Sequence, residues 1–112
     1  MSLEEYFSTG PPHEQPICEA VIAFVRTLGP VHVEPVSVGI FLKRPRKFAE
    51  LRPMQRWEAL SFSLPRVARH PLIVRKPIAW SGRFHHVVNL RSRDDLDGDI
   101  RDWLTEAYLA AD

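Results

Sequence analysis

Trp57-Glu58-Ala59-Leu60-Ser61-Phe62-Ser63-Leu64 alternates in character, with Leu60, Phe62 and Leu64 in one phase and Ala59, Ser61 and Ser63 in the other. Successive side chains of an extended chain point to opposite faces, so the stretch predicts a strand with one apolar and one polar face. Antiparallel sheets commonly leave one face to water, whereas all-parallel sheets are covered on both. The stretch 84–90 repeats the pattern: Phe84, His86, Val88 and Leu90 share one face, and His85, Val87 and Asn89 the other. A further strand is expected over 36–43, where β-branched and apolar residues dominate. Lys43-Arg44-Pro45-Arg46-Lys47 reads as a hairpin tip and 48–52 as the returning strand. The stretch 65–71 reads as a loop and 72–80 as a strand, with Pro77 confining it to an edge or a bulge. Ser81-Gly82-Arg83 reads as a turn.

Helices flank these strands. Ile17, Val21, Phe24, Val25 and Leu28 recur at the spacing of one helical face, predicting a helix over about 12–28 that Gly29-Pro30 stops. At the other end Leu96, Ile100, Trp103, Leu104, Ala107 and Ala111 form a second apolar stripe. Ser92 and Asp95 have capping-box spacing, and Asp97 and Arg101 stand four apart, close enough to pair. The expected fold is therefore two-layer α+β over one domain, 1–112. A curved antiparallel sheet of about four to six strands carries an N-terminal and a C-terminal helix on one face. Its core should contain Val21, Phe24, Leu28, Ile40, Leu42, Leu60, Phe62, Val88, Leu90, Leu96, Ile100, Trp103 and Leu104.

The composition is that of a globular protein, 45% apolar and 26% charged. A single cysteine, Cys18, excludes an internal disulfide, and no Cys/His cluster has zinc-ligand spacing. The acidic start, Met1 to Tyr6, lacks the apolar run of a signal peptide, and no stretch is long enough to span a membrane. A cytoplasmic location is the expectation.

Charge is unevenly distributed. Residues 1–42 balance at −4 and residues 94–112 at −6, while 43–93 hold thirteen Lys or Arg against Glu50 and Glu58, a balance of +11. The cations lie in strands and their connections with aromatics among them. Arg52, Arg56, Trp57, Arg75, Lys76, Trp80, Arg83 and His85 are therefore the candidate ligand-binding residues. Arginine grips phosphate or carboxylate through two parallel hydrogen bonds, and tryptophan offers a stacking face. The plainer reading is that these cations solvate hairpin tips and guard sheet edges. A net charge of only +1 and acidic ends argue against a dedicated nucleic-acid binder.

Other constellations carry less. His85 and His86 point to opposite faces and cannot readily chelate one ion; His86 falls in the core phase. Glu58 is in phase with Leu60, Phe62 and Leu64, and near Arg52 and Arg56 it reads as a strand-end ion pair. Cys18 flanks the apolar stripe of the first helix and reads as a small buried hydrophobe. No Gly-x-Ser-x-Gly elbow and no glycine-rich phosphate loop is present.

Phe84-His85-His86-Val87-Val88-Asn89-Leu90, followed by Asp94-Asp95-Leu96-Asp97 and Trp103-Leu104-Thr105-Glu106-Ala107-Tyr108, resembles the end of a bacterial family, domain of unknown function 5655. Tyr6-Phe7, Leu28-Gly29 and the stretch 48–53 are similar as well. The resemblance implies a small α+β domain and brings no activity, cofactor or catalytic residue. A fainter likeness, in element order alone, is to a small α+β family that includes a proposed intracellular iron chaperone; no acidic ligand cluster is legible to accompany it.

Three functions follow as expectations. The first is a non-enzymatic binding module for an anionic small molecule or partner through the basic sheet region. The second is a protein–protein or self-association module, monomer or homodimer, in which basic sheet and acidic helices complement each other. The third is a small enzyme built on Glu58, His85 and an arginine. No cofactor, metal or membrane is called for.

Overall fold

The alternating stretch becomes the fourth of six strands and lies inside the sheet. In the computed structural model, which describes residues 1–111, the chain runs α1 (Leu3–Ser8), α2 (Glu14–Arg26), β1 (His32–Val36), β2 (Gly39–Arg44), β3 (Arg46–Pro53) and β4 (Glu58–Leu64). It continues through β5 (Ile78–Trp80), β6 (Arg83–Leu90), a 3-10 turn (Arg93–Asp95) and α3 (Gly98–Leu109). The sheet order is β1-β2-β3-β4-β6-β5 with every neighbouring pair antiparallel. This is the expected α+β architecture.

Register assigns the two faces. Leu60 sits between Leu51 and Val88, and Phe62 between Ala49 and His86. These rows join Ile40, Leu42, Leu64 and Leu90 beneath Val21 and Val25 of α2 and Ile100 and Leu104 of α3. The alternate rows, Glu50–Ser61–Val87 and Arg52–Ala59–Asn89, lie on the face that carries no helix. The expected core residues Phe24, Leu28 and Trp103 are only partly buried at its rim.

Several boundaries differ from expectation for identifiable reasons. Ser2 and Glu5 form a reciprocal capping box, so Leu3–Ser8 is a separate helix. The long N-terminal helix begins at Glu14, with Pro16 in its first turn, where the missing N–H costs nothing. β1 is an additional edge strand that accommodates Pro35. The expected strand over 72–80 is regular only at Ile78–Trp80. Residue 72 does bond to β6, Asn89 donating to the Leu72 carbonyl at 3.0 Å, but the chain leaves the ladder between there and Ile78. At the C-terminus the Ser92–Asp95 box closes only the 3-10 turn. The α3 cap is Asp97, whose carboxylate accepts from the Ile100 N–H, so Gly98 is the first helical residue. Asp97 pairs with His70 Nε2 at 2.7 Å, while the expected partner Arg101 lies over the Phe24 ring.

Gly29 has φ +146°, and a Cβ there would run into the Tyr108 hydroxyl, which donates to the Pro30 carbonyl at 3.1 Å. Gly29→Ala combines a disfavoured backbone conformation with this clash and is expected to cost about 2 kcal/mol or more, read by chemical denaturation. His86 is fully buried and stacks on Phe62. Its Nε2 accepts from the Ala68 N–H at 2.9 Å and its Nδ1 pairs with the Phe84 carbonyl at 2.9 Å, so it is neutral and pins the 65–77 segment. Desolvation pushes its pKa below the ordinary value of 6.5. The folded state therefore binds fewer protons than the unfolded one, and stability falls as pH drops below about 6.5. His86→Leu leaves the Ala68 N–H unpaired, is expected to cost about 1–3 kcal/mol, and should remove this acid sensitivity in pH-dependent unfolding.

Candidate functional site

The helix-free face of the sheet gathers part of the basic set. Arg52 from β3, Arg75 from the 65–77 segment and His85 from β6 line a hollow of about 330 Å³ with Glu50 at its side. A second hollow of about 370 Å³ is lined by Ser63, Ile78, Trp80, Ser81, Arg83 and again His85. The two hollows thus share one imidazole. Alternation explains the grouping, since Ser63 pairs with His85, His85 with Ile78, and Arg83 with Trp80, all in the same phase.

The groups differ in how firmly they are held. Arg83 donates from Nε to Ser63 Oγ at 3.0 Å and from Nη2 to the Ser63 carbonyl at 2.9 Å, which fixes its guanidinium. Partial burial pushes Glu50 upward, but hydrogen bonds from Lys47 and Arg52 outweigh it and hold the carboxyl below its usual range. Arg75 is exposed and makes no hydrogen bond or ion pair with the described residues. Desolvation lowers the pKa of His85, and the charges of Lys47 and Arg75 push the same way against Glu50, so the ring is neutral at pH 7. Trp80 is 79% exposed and Ile78 62%. An apolar ring therefore shares one hollow with a fixed guanidinium and a neutral imidazole, and the same imidazole borders the hollow of Arg75.

The remaining candidates lie elsewhere. Arg56 is exposed in the β3–β4 connection, and Lys76 lines neither hollow. Trp57 is half-buried under the Arg91 guanidinium, 5.0 Å from the ring centroid, and its carbonyl is 3.2 Å from His13 Nε2. The pocket of Glu58, His85 and an arginine does not form, because Glu58 and His85 project from opposite faces of the sheet.

Glu58 instead belongs to a second cluster on the helix-covered side. It is 0% exposed, Cys18 and Glu14 are equally enclosed, and Tyr6 closes the group. The Tyr6 hydroxyl donates to Glu14 Oε2 at 2.5 Å. One donor atom from each of Glu14, Cys18 and Glu58 falls within 4.8 Å of the others. Glu14 and Cys18 are one helical turn apart on α2, and Glu58 opens β4 between Pro53 and Leu90. Neither Glu58 oxygen has a hydrogen-bond partner. Burial, reinforced by the nearby Glu14, pushes the Glu58 pKa up to about 8 against a smaller opposing effect of the Cys18 thiol. Burial likewise pushes the Cys18 thiol and the Tyr6 hydroxyl well above their ordinary values. Sequence reasoning missed Glu14 altogether. Its signal was phase, since Glu14 precedes Cys18, Val21 and Val25 on the buried stripe.

The family described as a domain of unknown function, DUF5655, matches residues 3–111. No curated protein and no solved structure matches the chain. No helix among the described residues is long and apolar enough to cross a membrane.

Proposed function

The chain belongs to the DUF5655 family, to which no activity is attached, and from its geometry we propose that it is a non-enzymatic binding module whose helix-free sheet face takes a small anion bearing a flat apolar group. The observation that carries this reading is Trp80, left 79% exposed in the hollow of Arg83 and His85, with Arg75 in the adjoining hollow that shares His85. Exposed single apolar residues are ordinary, but Trp80, Ile78 and two arginines around paired hollows form the combination that small-ligand sites use. Arginine forks take carboxylate or phosphate oxygens, and the indole face takes the ring. Arg83 is already oriented by Ser63, which lowers the ordering cost of binding.

Titration with phenyl phosphate, benzoate, mononucleotides and inorganic phosphate, followed by tryptophan fluorescence at low and moderate salt, tests the reading. Saturable quenching by an aromatic anion that survives moderate salt supports it. Equal response to every polyanion, lost at moderate salt, reduces the surface to general electrostatics.

A second reading, self-association, is favoured by β5. All three of its residues are exposed, and it ends the sheet order, so its outer edge is open to another strand. That reading requires a dimer in sedimentation experiments and its loss in an Ala79→Pro variant.

A further inference from the structure

The Tyr6, Glu14, Cys18 and Glu58 cluster lies on the other side of the sheet from the proposed anion site and is not explained by it. Two carboxyl groups and a thiol are enclosed together, and no lysine, arginine or histidine forms an ion pair with Glu14 or Glu58 among the described residues. Buried acids are ordinarily paired or hydrogen-bonded. Here Glu14 has the Tyr6 hydroxyl, while neither oxygen of Glu58 has a partner at hydrogen-bond geometry and only the weak Cys18 thiol stands near, one donor atom of each residue lying within 4.8 Å of the others. What the site lacks is a positive charge with room for several donors.

We propose that Glu14, Cys18 and Glu58 form a binding site for a divalent transition-metal ion of the zinc class, set between α2 and β4, with Tyr6 orienting Glu14. The donor set selects the class of ion. One sulfur and two carboxylate oxygens suit zinc(II), cobalt(II) or iron(II), whereas calcium takes six to eight oxygens. Tetrahedral zinc, with bonds of about 2.0–2.3 Å, places its donors roughly 3.5 Å apart. Closing the cluster around an ion therefore requires a contraction of about an ångström, within reach of two glutamate side chains. The Tyr6 hydrogen bond to Glu14 Oε2 is the outer contact that fixes a carboxylate ligand. Gly10 packs directly against this carboxylate, since a side chain there would run into Glu14 Oε1. Uptake displaces protons from Cys18 and Glu58 to solvent with no change of oxidation state.

Cobalt(II) and zinc(II) titrations of the full chain test the site. The expected result is one equivalent of cobalt with a sulfur-to-cobalt charge-transfer band, displaced by zinc, with protons released into weak buffer. Cys18→Ser should lose the band. Glu58→Gln should weaken binding at least tenfold while circular dichroism shows it folded. Tyr6→Phe should weaken binding by about tenfold, the usual effect of removing an outer-shell partner. His32→Ala, which removes the His32–Glu34 surface pair, should change nothing. The proposal is overturned if the folded chain binds no stoichiometric cobalt, if the charge-transfer band is absent, or if Cys18→Ser and Glu58→Gln bind as tightly as the natural chain. Any of these results leaves the cluster as a proton-sharing element of the core.

Discussion

Glu58→Gln is expected to raise stability at pH 7 by about 3 kcal/mol in metal-free buffer, moving the thermal midpoint up by roughly 10 °C or more. In the unfolded chain this carboxyl titrates near 4.5, and in the fold burial pushes it to about 8. The folded state therefore holds a proton that the unfolded state has released. The penalty is absent below pH 4.5, grows as pH rises from 4.5 to 8, and is constant above 8 at about 5 kcal/mol. Glutamine keeps the shape and cannot ionise, so the gain over the natural chain should follow that curve. Equilibrium denaturation at several pH values checks it, and a flat difference between the two proteins would contradict the assigned protonation of Glu58. The natural chain carries a destabilising acid in its core, and local rules are broken in this way where function requires it. The proposed metal site supplies such a function: with zinc present, the order of stability between Glu58→Gln and the natural chain should narrow or reverse.

The second large effect concerns the open face. Trp80→Ala and Arg75→Ala are each expected to weaken an aromatic anion by about tenfold or more, since a charge-assisted hydrogen bond contributes about 1.5–3 kcal/mol and an aromatic pair about 0.5–1.5 kcal/mol beyond its area. Neither should change stability appreciably, because Trp80 is 79% exposed and Arg75 has no partner among the described residues. Arg83→Ala should lose both binding and some stability, because it also ties β6 to Ser63. Calorimetric titration of the three variants, with urea denaturation alongside, separates these effects. Binding unchanged in Trp80→Ala and Arg75→Ala would place any anion elsewhere, with the hairpin cations Lys43 to Lys47 as the next candidates.

How far these sites were legible in the sequence depends on range. Period-two alternation identified both faces of β4 and β6, so it placed His86 in the core and His85 on the open side. Phase along a strand is a local property, and it survived folding. The hollow of Arg52 and Arg75 adjoins that of Trp80 and Arg83 at His85 because β6, not β5, follows β4 in the sheet, and strand order is not encoded locally. Pro77 signalled an edge or a bulge, but not that the strand would be regular only at Ile78–Trp80 while Leu72 still bonds to Asn89. The acid cluster shows the same division. Glu58 stood in an apolar phase, and Glu14 lay on the stripe of Cys18, Val21 and Val25. The apposition of the two acids depends on how α2 lies against β4, which no spacing within either element determines. The first helix leaves its trace in the Ser2–Glu5 capping spacing, but its six residues are too few to show periodicity.

The central claim is that the helix-free face is a specific site for an aromatic anion. Amide NMR during titration with phenyl phosphate at moderate salt tests it most directly. Saturable shifts are expected only at Ser63, Ile78 to Trp80, Arg83 and His85 and at the neighbouring Arg52 and Arg75, with helices α2 and α3 silent. Shifts that spread over every basic loop and fade with salt, or no shifts at all, would contradict it.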